Sequence, residues 1–177
     1  MRRLILLRHA KTERDSSSGK DKDRRLDERG RHDSVEIGRW LALEDYSPDL
    51  VLVSTATRTQ ETWELLRATM PSARVKHLPE LYGADPSELL RAVHGAAEAD
   101  PQCLMILAHN PGLHELALAL VASGDAAGQH ALAANLPTAG VVMIDFKIDD
   151  WGDVGFRRGR LERFASPKLL REWSDEA

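Results

Sequence analysis

Residues 4–10 read Leu4-Ile5-Leu6-Leu7-Arg8-His9-Ala10, four apolar side chains followed at once by a cation and an imidazole. A short apolar run without alternation predicts a strand buried on both faces. The pattern recurs. Asp49-Leu50-Val51-Leu52-Val53-Ser54 reads as a second buried strand, with Arg58 one helical turn beyond it. Gln102-Cys103-Leu104-Met105-Ile106-Leu107-Ala108 reads as a third, running into His109-Asn110-Pro111-Gly112.

Helical patterns separate these runs. Asp27 is placed to cap a helix near 27–45, with Ile37, Trp40 and Leu41 on one face. A helix is predicted over Ala56–Met70, with Trp63, Leu66 and Met70 on one side. Ala73–Leu78 predicts a weaker strand. Pro86–Ala99 predicts a helix with proline in its first turn. Leu113, Leu116, Ala117, Leu120 and Val121 recur with helical spacing. Ala139–Phe146 reads as a strand, Asp153–Phe164 as its hairpin partner and Pro167–Trp173 as a short terminal helix. Strands alternating with helices predict an α/β fold: a three-layer α/β/α sandwich around a mostly parallel central sheet, in one domain over residues 1–177. In such sheets ligands bind beyond the carboxyl ends of the strands.

Composition narrows the function. The chain has 177 residues and net charge −4, which argues against nucleic acid as a partner, since that calls for a strongly basic face. Its single cysteine, Cys103, permits no intramolecular disulfide and suits a reducing compartment. Cys103 itself lies inside an apolar run and reads as a small buried hydrophobe. The run Leu4–Leu7 is too short for a leader or a membrane span. We therefore expect a cytoplasmic, monomeric or weakly associating enzyme that makes no membrane contact.

If the three apolar strands lie side by side, Arg8, His9, Ser54, Arg58 and His109 share one crevice. Arginine forks match phosphoryl oxygens and stay charged at any working pH. The helix after Ser54 adds backbone N–H donors at its N-terminus. A neutral histidine can attack phosphorus, and a second can donate to the equatorial oxygens as charge builds. The remaining histidines, His32, His77, His94, His114 and His130, show no metal-ligand spacing. The residues thus predict phosphoryl transfer without metal or cofactor, through a covalent phosphohistidine.

Four ordered segments carry a family resemblance. Leu7-Arg8-His9-Ala10 is similar to the RHG/RHA signature of the histidine phosphatase superfamily, which has the phosphoglycerate mutase-like fold. Leu26-Asp27-Glu28-Arg29-Gly30 resembles its "LTERG" segment. Ser54-Thr55-Ala56-Thr57-Arg58-Thr59-Gln60-Glu61-Thr62 resembles "SPxxRAxQT", and Ala108-His109-Asn110-Pro111-Gly112 resembles "GHNPG". The compact length and the tail after Pro137 resemble the SixA-type phosphohistidine phosphatases. The resemblance implies His9 as nucleophile and Arg8, Arg58 and His109 as ligands of the phosphoryl group. It implies Glu80, in Leu78-Pro79-Glu80-Leu81-Tyr82-Gly83, as the acid that protonates the leaving group. It also implies a phosphorylated protein as substrate, with small phosphate esters, or phosphate binding without turnover, as alternatives.

Several residues keep two readings. Asn110 is either a turn residue or holds a loop beside the pocket, with phosphate contact as the further option. Ser54 either caps the next helix or approaches the phosphate, and Thr138 either starts a strand or reaches the pocket. Lys11, Lys20, Lys22, Arg24 and Arg25 either steer anions or solubilise a loop. Glu13–Arg25 has no apolar residue. It reads first as a solvated loop and second as a cover for the site.

Overall fold

The computed structural model describes residues 1–176. Seven strands form one sheet: β1 (Arg2–Arg8), β2 (Leu50–Ser54), β3 (Arg74–Leu78), β4 (Cys103–Ala108), β5 (Val121–Gly124), β6 (Val141–Phe146) and β7 (Gly159–Ala165). Their order is β3-β2-β4-β1-β6-β7-β5. β3, β2, β4 and β1 pair in parallel, β6 runs antiparallel to both β1 and β7, and β5 is parallel to β7. Only β6 therefore opposes the common direction.

The unbroken apolar strands divide between two cores because successive side chains leave a strand on opposite faces. Leu4 and Leu6 of β1, with Leu104 and Ile106 of β4, meet Leu89 and Val93 of α3 (Pro86–Gly95) and Leu113, Leu116 and Leu120 of α4 (Gly112–Leu120). Ile5 and Leu7, with Met105 and Leu107, meet Ile37 and Leu41 of α1 (Glu28–Leu43) and Trp63 and Leu66 of α2 (Thr57–Leu66). The result is the expected three-layer sandwich.

Local chemistry fixes the helix starts. The Asp27 carboxylate accepts from the Gly30 amide at 2.7 Å and caps α1. Asp85 and Glu88 form a reciprocal capping box at α3, with Pro86 in its first turn. That helix ends at Gly95, four residues before the predicted Ala99. Helix α4 likewise ends at Leu120, and Val121, expected to be helical, opens β5 instead. A further helix, α5 (Ala126–Ala134), and the terminal α6 (Pro167–Glu176) complete the layers.

Two glycines let elements approach closely at the functional end. A Cβ on Gly30 would lie 2.0 Å from the Lys11 carbonyl oxygen, and one on Gly112 would lie 2.1 Å from that of Ala84. Both obstacles are backbone, so a helix would have to move. Gly30→Ala is expected to destabilise the protein by about 1–3 kcal/mol, a fall of roughly 3–10 °C in Tm readable by calorimetry. Because Lys11 follows His9 by two residues, the same change should displace the end of β1.

Candidate active site

The strand order places β2, β4 and β1 next to one another, with β4 in the middle. Arg8 stands opposite Ala108, and Val53 opposite Leu107, so the three strand ends are level. His9 and His109 consequently follow neighbouring strand ends. Their ring centroids are 5.3 Å apart and the rings are tilted by 52°. Arg58 sits in the first turn of α2, buried, and the N-terminus of that helix has no side-chain cap. Its first amides are thus left for a ligand.

Hydrogen bonds set the tautomer of His9. Its Nδ1 lies 2.8 Å from the Ala10 carbonyl oxygen. A carbonyl only accepts, so Nδ1 carries the proton and the neutral ring keeps its lone pair on Nε2. Burial, reinforced by His109, Arg58 and Arg8 against the weaker pull of the Ala10 carbonyl, lowers the His9 pKa to about 3. The ring is neutral at physiological pH and nucleophilic at Nε2.

His109 is oriented from the other side. Its Nε2 is 2.7 Å from Ser54 Oγ, which also accepts from the Ala56 amide at 3.3 Å. With its oxygen already accepting, the Ser54 hydroxyl can donate to Nε2. The proton of the His109 ring then sits on Nδ1, a buried donor with no partner. Ser54 therefore acts through His109, and α2 takes Ala56 as its cap residue. Burial first and Arg58 second lower the His109 pKa to about 4.

Arg8 and Asn110 are held by one acceptor. Arg8 Nη1 donates to the Leu136 carbonyl at 3.1 Å, and Asn110 Nδ2 donates to it at 2.8 Å. Asn110 is thus the residue that holds the 135–140 loop beside the pocket. Burial and the nearby Arg58 lower the pKa of Arg8. Buried polar atoms without partners concentrate here: Arg8 Nε, Thr55 Oγ1, Arg58 Nε, His109 Nδ1 and Asn110 Oδ1, five of six among the described residues. Donors predominate, which suits an anion. No group of three or more His, Cys, Asp or Glu side chains among the described residues is placed to hold a metal ion.

The Glu13–Arg25 loop turns out to cover the site. Arg58 donates from Nη1 to the Asp21 carbonyl at 2.9 Å and from Nη2 to the Asp21 carboxylate at 3.1 Å. Tyr82 Oη donates to the same carboxylate at 2.7 Å, and Arg24 Nε holds its other oxygen at 2.9 Å. The Tyr82 hydrogen bond, then Arg58 and Arg24, outweigh burial and lower the Asp21 pKa to about 2. Tyr82 also packs edge-on to His109, with ring centroids 5.6 Å apart. Neither Asp21 nor Tyr82 stands out in the sequence. Asp21 lies in an apolar-free loop, and Tyr82 follows a stretch read for Glu80.

Glu80 is not brought to this cluster. It is exposed on the 3-10 turn Pro79–Leu81, whose Leu81 points into the core. It lines a groove of about 440 Å3 with Lys76, Glu88 and Arg91. The carboxylate that meets the arginine is Asp21. Thr138 is half-buried and lines a different groove, beside Lys11.

Two consequences can be measured. Asp21 occupies the Arg58 fork that a phosphoryl oxyanion would use, and its side chain is half-exposed. Asp21→Asn is expected to tighten inhibition by vanadate about threefold to tenfold, as fits an exposed pair worth about 1 kcal/mol. The second concerns acid. The folded pKa values of His9 and His109 lie below the unfolded value, so the unfolded chain binds more protons and stability rises with pH across the interval. Stability should be full above about pH 6.5 and fall as pH drops toward 4. Thermal denaturation across that range should show a falling Tm, and His109→Asn should flatten the fall.

The model of the histidine phosphatase superfamily (branch 1) matches residues 4–86. An uncharacterised protein of Mycobacterium leprae is 30% identical over 84% of this chain and 89% of its own length. An uncharacterised chloroplastic protein of Arabidopsis thaliana is 34% identical over 66% of this chain, a match spanning 57% of that relative. The chain belongs to the histidine phosphatase superfamily, and its fold is that of the family. Among solved structures it is similar to one from Nakamurella multipartitia described as a candidate phosphohistidine phosphatase SixA. The TM-score is 0.80, with 28% identity over 94% of this chain and 96% of that one. No helix among the described residues is long and apolar enough to cross a membrane.

Proposed function

We propose that this protein removes the phosphoryl group from phosphohistidine on a protein partner, with His9 as nucleophile. The carrying observation is the His9 Nδ1 contact to the Ala10 carbonyl at 2.8 Å, which leaves Nε2 as the free nitrogen beside Arg8, Arg58 and His109. In the first step the Nε2 lone pair forms a bond to phosphorus. The bond from phosphorus to the substrate nitrogen breaks, and its electron pair leaves with the substrate imidazole. Arg8, Arg58 and His109 Nδ1–H neutralise charge on the equatorial oxygens. In the second step a water oxygen attacks phosphorus and the bond to Nε2 breaks with its electron pair returning to the His9 ring; one water proton passes to solvent and hydrogen phosphate departs with the other.

The acid at the site favours a phosphoramidate over an ester. Asp21 is held ionised and Glu80 lies exposed in another groove, so neither is poised to protonate a leaving alkoxide. Imidazole leaves as a neutral molecule once its distal nitrogen is protonated, and it needs that acid less. The likeness to the Nakamurella structure over 94% of this chain supports the same reading. Turnover of a phosphohistidine peptide, a phosphoserine peptide and p-nitrophenyl phosphate tests it. We expect kcat/KM highest for phosphohistidine. A preference for either ester would overturn the reading and favour a phosphomonoesterase, and binding without turnover would favour a phosphate-binding module.

A further inference from the structure

The loop that holds Arg8 also walls a second feature. Leu136 offers its carbonyl to Arg8 and Asn110, while its neighbours Asn135, Pro137 and Thr138 line a groove of about 580 Å3. The groove also neighbours the phosphoryl site along the chain. Lys11, on its rim, follows His9 by two residues.

Its charge is opposite to that of the whole molecule. The chain carries −4 overall. The groove gathers Lys11, Arg29, Lys168 and Arg171 against one acid, Asp33. Asp33 is buried and lies 3.6 Å from both Arg29 and Arg171, so it offsets one of the four cations. It does not consume their donors: its Oδ1 has no hydrogen-bond partner, and the two guanidinium side chains remain about half-exposed at 53% and 50%. Lys11 and Lys168 are exposed and enter no ion pair among the described residues. The mechanism uses none of these side chains. A local excess of positive charge this close to a phosphate site attracts an anionic neighbour of the phosphorylated group.

We propose that this groove receives an acidic segment of the protein that carries the phosphohistidine, an inference that rests on the reading above for what occupies the adjoining site. Aspartate or glutamate side chains flanking the phosphorylated residue would meet Lys11 and Lys168 and the exposed forks of Arg29 and Arg171. A nucleic acid is a poorer occupant: three excess charges neutralise few phosphates, and the net negative remainder of the surface repels a long polyanion. A small ester fills only the phosphoryl site. The groove should therefore discriminate among extended substrates and leave small ones unaffected.

The test separates the groove from the chemistry. A fluorescein-labelled, unphosphorylated peptide rich in glutamate is titrated with the protein by anisotropy, beside a glutamine version of equal length and an oligothymidylate. We expect the acidic peptide to bind most tightly and to weaken with salt. Lys168→Glu/Arg171→Glu should weaken it by about tenfold or more. Lys11→Gln/Lys168→Gln, which keeps both partners of Asp33, should weaken it by about threefold, with p-nitrophenyl phosphate turnover intact as the control for folding. Equal binding of the glutamine peptide, tighter binding of the oligothymidylate, or affinity unchanged in both variants overturns the proposal, whatever the enzyme hydrolyses. Groove-dependent peptide binding in an enzyme that fails to turn over phosphohistidine supports the groove and overturns the substrate reading alone.

Discussion

His9→Ala is expected to lower turnover to background, a loss of at least about a thousandfold, because no other group at the site can form the covalent intermediate. The arginines, His109 and Ser54 do not depend on His9 for their hydrogen bonds. The variant should therefore still bind vanadate or phosphate, which distinguishes a missing nucleophile from a collapsed pocket. Folding should survive too. The ring gives up one hydrogen bond to Ala10 and leaves a small void, but a buried imidazole beside two guanidinium groups is also removed. The decisive measurement is rapid mixing with a phosphohistidine substrate carrying labelled phosphate, quenched in alkali. Wild type should trap label that is stable in base and lost in acid. Label of that kind on the alanine variant would remove His9 from its assigned role.

Much of this site could be read from residue order alone, because the strands that carry it are of the most legible kind. β1, β2 and β4 are buried on both faces, so each appears as an unbroken apolar run whose end is marked by the first polar residue. That marker was Arg8, Ser54 or His109 in turn. Helix starts were legible for the same reason: Asp27 and Pro86 act locally, within one helical turn. What escaped depends on distance. Asp21 meets Arg58 across 37 residues and Tyr82 across 61, and no periodicity encodes such a reach. β5 and α5 were invisible for another reason. A four-residue strand is too short to alternate, and Ala126–Ala134 is alanine-rich on every side, burying only Gly128 and Leu132. Glu80 was assigned from family spacing, which carries no direction. The turn commits Leu81 to the core and leaves Glu80 outside.

Arg58→Ala is expected to weaken vanadate or phosphate binding by about 2–4 kcal/mol, roughly 30-fold to 1,000-fold in affinity, the usual cost of deleting one partner of a buried, charge-assisted contact. The size follows from burial: the side chain is only 7% exposed, so solvent screens the lost interaction little. Arg58→Lys should recover only part of the loss, since an ammonium supplies the charge but not the fork. Asp21 decides how this prediction is tested. In the free enzyme its carboxylate sits on the Arg58 fork, so an incoming oxyanion first displaces it. Once Arg58 is gone, Asp21 keeps its hydrogen bonds from Tyr82 and Arg24 and stays close to the pocket as a carboxylate that only Arg24 offsets. The Arg58→Ala loss thus mixes a missing donor with a new repulsion. Adding Asp21→Asn to Arg58→Ala removes the repulsion and should restore a small part of the affinity, while leaving most of the deficit. A double-mutant cycle on vanadate inhibition yields the coupling directly. If the two substitutions simply add, the Asp21 carboxylate and the anion do not compete for Arg58. If Arg58→Ala leaves vanadate inhibition unchanged, Arg58 does not hold the phosphoryl group at all, and the level ends of β1, β2 and β4 lose their common ligand.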